Sequence, residues 1–167
     1  MEENKRIITV LLTRYYSTFS DFIYWISGRG YTHASLSLDD KGGVYYSFNF
    51  KGFRREHPGR SRRKCGKSVS FRLEIPGESF ERIKNRLEEM ERNSETLHYS
   101  RLSLFLCLLH IPCKIENHYF CSQFVAEMLE LAGNIRLDKK PSLYLPNHLP
   151  EVLRHQRCLK EIIYCSV

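Results

Sequence analysis

Cys121, His33 and Asn49 lie far apart in the chain but together carry the groups for thiol-based acyl chemistry. Cys121 sits in YFCSQFVAEMLELAG, residues 119–133. After it, Phe124, Val125, Met128, Leu129 and Leu131 recur at helical spacing, and Gly133 supplies the stop. The cysteine therefore falls at a helix start, where partial positive charge and unpaired N–H groups favour thiolate. The competing role for Cys121 is a small buried core residue, a common setting for free cysteine.

His33 belongs to YTHASLSLD, residues 31–39, which alternates cleanly. Ala34, Leu36 and Leu38 point one way; His33, Ser35 and Ser37 point the other, to a face expected to escape deep burial. Residues 40–43, DKGG, have turn chemistry, and VYYSFNF, residues 44–50, returns as a second strand. A register that opposes Leu36 to Tyr46 puts apolar pairs on one face and His33 beside Asn49 on the other. A one-residue slip would mix the two faces. Opposed residues lie roughly 4.5–5.5 Å apart at Cβ. Asn49 is thus expected to orient the imidazole and leave its other nitrogen as a base, with Ser47 or Glu56 as alternative third members. Cys121 would be the nucleophile and His33 the general base. The Ser122 N–H would bind the oxyanion, with a second donor at Thr13, at Tyr15 or at another residue after the first strand.

These groups need a frame. Residues 6–13 read as a buried strand, and 20–27 as a short helix capped by Ser20 and stopped by Gly28 and Gly30. Residues 68–75 make a third strand. Residues 78–92 form an amphipathic helix with Phe80, Ile83, Leu87 and Met90 inward. A helix over 99–110 ends near Pro112, a short helix runs through about 155, and 158–165 is a last strand. The expected class is α+β with a largely antiparallel sheet, in one domain over residues 1–167.

The 167 residues are 42% apolar and 13% aromatic, which excludes a disordered chain. Six cysteines form no C-x-x-C pair and suggest no disulfide framework. The N-terminus lacks a signal pattern and residues 102–113 are too short to span a bilayer, so a cytoplasmic protein is expected. Cys107, His110, Cys113, His118 and Cys121 fit no standard zinc spacing, and neither a metal nor a cofactor is expected. Of the net charge of +7, residues 54–67 carry seven cations and one Glu, or +6, leaving +1 elsewhere. Arg60, Arg62, Arg63 and Lys64 in that loop would contact an anionic surface, or simply be solvated. The sparse aromatic content there speaks against specific nucleic-acid binding.

THASLSLD near the start and YFCSQFVAEMLELAG near the end together resemble the circularly permuted branch of the NlpC-type, papain-like cysteine hydrolases, closest to the bacterial YiiX-like group. The LTR after the first strand, the YSF of the hairpin and PSLYLPNHL after the cysteine helix extend the resemblance. The histidine precedes the cysteine by 121 − 33 = 88 residues, the permuted order. The resemblance implies a papain-like core with a small antiparallel sheet on the nucleophile helix, and attack on an amide, ester or thioester carbonyl through an acyl-enzyme. Its substrates would be small amides, esters or peptide-like molecules. Relatives include peptidoglycan peptidases and lipid acyltransferases of the lecithin–retinol type; a non-catalytic binding module on the same fold is the remaining alternative. YiiX-like members tend to carry a carboxylate in the second hairpin strand, where this chain has Ser47 and Asn49.

Overall fold

The computed structural model describes residues 4–40, 43–57 and 65–165. Its frame is a six-stranded antiparallel sheet in the order β4-β3-β2-β1-β5-β8. The strands are β1 (Lys5–Tyr15), β2 (His33–Ser37), β3 (Tyr45–Asn49), β4 (Gly52–Glu56), β5 (Cys65–Pro76) and β8 (Leu159–Cys165). β1 takes a central place because its run IITVLLT is apolar and β-branched: Ile8, Val10 and Leu12 are fully buried. A two-stranded parallel ladder joins β6 (His98–Tyr99) to β7 (His118–Tyr119). Five α-helices complete the described residues: α1 (Thr18–Ile26), α2 (Gly77–Arg92), α3 (Arg101–Leu108), α4 (Cys121–Ala132) and α5 (Leu149–Arg154).

α4 lies against β2 and β3 and against α2. Its stripe of Phe124, Val125, Met128 and Leu129 is buried as its spacing predicts, whereas Leu131 points outward. Gly133 ends the helix at φ 74°, a left-handed conformation that favours glycine. Phe124 wedges between the rings of Phe48 and Phe53, with centroids 5.4 and 5.8 Å away. This contact fixes the level of the helix start relative to the sheet.

Three details depart from the expected elements. The cap of α1 is Ser17, whose hydroxyl accepts from the Ser20 N–H, so Ser20 lies inside the first turn. Ser35 and Ser37 are buried, not accessible, because β2 is an interior strand flanked by β1 and β3. The third concerns residues 54–56, expected in the basic loop 54–67: with Gly52 and Phe53 they form β4, with Phe53 turned into the core and Arg55 paired to Glu91 on α2 at 2.5 Å. Gly52 makes the turn into β4 possible. It sits at φ 89°, and the Leu97 carbonyl lies where a Cβ would project. Arg60, Arg62, Arg63 and Lys64 lie outside the described residues.

Removing the wedge should loosen the joint between helix and sheet. Phe124→Ala is expected to cost about 3–5 kcal/mol of stability, read from urea unfolding, whereas Leu131→Ala on the exposed side of α4 should change it little.

Candidate active site

β2 opens at His33, paired with Thr13 of β1, and the start of α4 brings Cys121 to the same spot. Both residues line a cleft of about 750 Å³. The hairpin has the expected register, with Leu36 opposite Tyr46. The group on the imidazole, however, is Glu56 of β4. Its carboxylate receives His33 Nε2 at 2.9 and 3.0 Å, with the two side chains only 11% and 15% exposed. Cys121 is the other side chain that acts on the same ring. With Nε2 held by the carboxylate, Nδ1 is the nitrogen left to face the sulfur. The edge of Tyr15 closes against the ring, centroids 5.1 Å apart.

Burial works against a charged imidazole here and is the largest single influence. It is outweighed by the Glu56 charge, the hydrogen bond with Cys121, the hydrogen bond with Glu56 and the charge on Cys121, so His33 is pushed up from 6.5 to about 10. An imidazolium is therefore held between a carboxylate and a sulfur. That is the setting in which thiolates form and act as nucleophiles.

Asn49 does not stand behind the ring. It ends β3, where its Oδ1 accepts from the Lys51 N–H at 2.9 Å and closes the turn into β4. Ser47 is also committed, donating to the Ala34 carbonyl at 2.6 Å. Of the three candidates for third member, only Glu56 meets His33. Thr13 adjoins His33 but is held in the sheet from both sides, and its carbonyl accepts from the Thr32 N–H; it is not among the residues lining the cleft. The start of α4 has no side-chain cap, and Cys121 is its residue on the cleft; Ser122 is fully buried and, like Thr13, is not among the lining residues.

Tyr15 is the sequence's alternative to Thr13 as a second oxyanion donor, whereas Tyr99 is not legible there as a site residue. Tyr15 borders the ring, and Tyr99 lines the cleft with its phenol pushed up, first by burial and then by Cys121, against Arg101. Tyr99 sits in no sequence pattern that distinguishes it from the chain's other tyrosines. Burial pushes Cys107 up to about 12, and also raises Cys158. No group of three or more potential metal ligands forms among the described residues, so the Cys107–Cys121 segment does not assemble one there.

No family profile, curated protein or solved structure matches the chain.

The raised His33 makes stability depend on pH. Because its value in the fold lies above 6.5, its contribution is fully present below pH 6.5 and is lost as pH rises through about 10. Urea unfolding at stepped pH should show that decline in the native chain. Glu56→Gln removes the main opposing charge and leaves burial dominant, so the decline should move to lower pH.

Proposed function

We propose that the protein is a cysteine-dependent hydrolase or acyltransferase, with Cys121 as nucleophile, His33 as base and acid, and Glu56 as the residue that orients His33. The observation that carries this reading is the buried imidazole with Glu56 on Nε2 and the Cys121 thiol as its other side-chain partner. The reading is of the papain-like type in permuted order. In support, α4 packs on an antiparallel sheet with the cysteine at its start. Glu56 also supplies, from the next strand, the carboxylate that YiiX-like chains tend to carry in the hairpin.

The reaction runs in two halves. The Cys121 sulfur attacks the carbonyl carbon, a C–S bond forms, and the carbonyl π electrons move to oxygen beneath the N–H groups of the helix start. When the tetrahedral centre collapses, the bond to the leaving group breaks and His33 donates its proton to that group. The acyl-thioester remains. A water or an acceptor hydroxyl then loses a proton to His33 and attacks the thioester, releasing the acyl product and restoring the sulfur. Glu56 holds the ring through both halves, so that one nitrogen always faces the sulfur.

The cleft lining favours an acyl substrate with an apolar chain. Phe19, Ile23, Phe48, Phe50 and Leu104 line the site, with Lys51, Arg55 and His57 also on the cleft. Lipid acyl transfer is therefore the second reading of the same residues. A binding module on this fold would leave the thiol unreactive.

Limited treatment with iodoacetamide near neutral pH, followed by peptide mapping, tests the assignment. Cys121 should be modified ahead of every other cysteine, and His33→Ala should slow it by about 10²-fold or more. Prior modification of the exposed Cys165, with Cys121 untouched, would contradict the nucleophile assignment.

A further inference from the structure

The rim of the cleft carries a feature that acyl transfer chemistry does not use. α1 and α3 share one small core, in which Ile23 and Leu104 meet Phe120 and Leu145. Their outer faces are also apolar. Phe22, Trp25 and Ile26 on α1 and Leu102, Phe105 and Leu109 on and just after α3 stand out from the surface, Trp25 at 62% exposure and Phe22 and Phe105 at 55%. On α1 the spacing is three and four residues and on α3 three and seven, so each set is one face of its helix. Scattered exposed apolar residues need no explanation; two such faces on adjoining helices do.

The charges around these faces indicate what covers them. Arg29 lies over the Trp25 ring at 4.5 Å, and Arg101 over Phe50 at 5.0 Å. Residues 97–114 contain no acidic side chain, and residues 14–30 contain only Asp21, which Arg14 approaches at 4.0 Å. A second copy docked face to face would set these cations against their own symmetry mates. A bilayer with anionic headgroups would meet them with opposite charge while the aromatic side chains enter the headgroup–acyl boundary. Tryptophan and phenylalanine beside arginine suit that boundary.

We infer that the outer faces of α1 and α3 are a docking surface for an anionic lipid bilayer, which sets the mouth of the Cys121 cleft against the membrane. Phe19 and Ile23 of α1 and Leu104 of α3 line the cleft, so the same two helices form its wall and its contact with lipid. The surface is made by α1 and α3 alone and does not depend on the chemistry of Cys121.

Trp25 is the only tryptophan in the chain, so its emission reports the contact directly. The full chain is mixed with vesicles of phosphatidylcholine containing phosphatidylglycerol. The emission should shift to the blue, and lipids brominated along the acyl chain should quench it. Vesicles of phosphatidylcholine alone should bind several-fold more weakly, and raised salt should weaken binding to the anionic ones. Phe22→Ser with Phe105→Ser should reduce binding several-fold, with the fold checked by circular dichroism. Cys121→Ser should leave it unchanged, which separates this inference from the catalytic reading. Unshifted emission with anionic vesicles would overturn it. So would light scattering showing a dimer in the absence of lipid that the double variant converts to monomer, because the faces would then cover each other.

Discussion

A buried ion pair between His33 and Glu56 is the constraint around which the site is arranged. Two charges removed from water cost several kcal/mol each unless they meet in good geometry. The Glu56 carboxylate meets that condition with both oxygens close to Nε2. For it to do so, β4 must exist and must pair with β3. That in turn requires Gly52 at positive φ beneath the Leu97 carbonyl, Phe53 anchored in the core, and Asn49 closing the turn. A residue with a Cβ at position 52 would disturb the site from a distance, through the strand that carries the carboxylate.

The other half of the arrangement is the packing of α4. Nothing in the first turn of the helix caps its N–H groups, and its first six residues, Cys121 to Ala126, are all buried. Phe124 locks the helix to Phe48 and Phe53, which belong to the strands that carry the turn at Asn49 and the carboxylate at Glu56. One aromatic cluster thus registers α4 against both the hairpin and the strand beyond it. The sulfur, the imidazole and the carboxylate are positioned by regular structure rather than by loops, which limits the motion that would separate them.

Much of this was legible in the residues. Alternation in YTHASLSLD located β2 and its register with β3, because a slip would have exchanged buried and polar faces. Helical spacing placed Cys121 at a helix start. The third member was harder. Asn49 and Glu56 both lay within reach of the hairpin, and the choice between them depended on whether residues 52–56 formed a strand. Those five residues, GFRRE, carry a single apolar side chain, and their cations resemble the basic segment that follows, so composition hid the strand. Burial of Ser35 and Ser37 was equally hidden, since it follows from how many strands flank β2 and not from the serines themselves. Tyr99 reaches the site only through long-range packing, which no local pattern records.

The central claim is that Cys121 carries an acyl group during turnover. Intact-protein mass spectrometry on samples quenched during reaction with a mixed pool of aryl esters and thioesters of graded chain length tests it directly. The account predicts a mass increase equal to one acyl group, mapped to Cys121, that rises and then decays as the thioester is hydrolysed. The increase should be absent in Cys121→Ser and should form more slowly in Glu56→Gln. An acyl group found on another residue, or none on Cys121 while the esters are consumed, would contradict it.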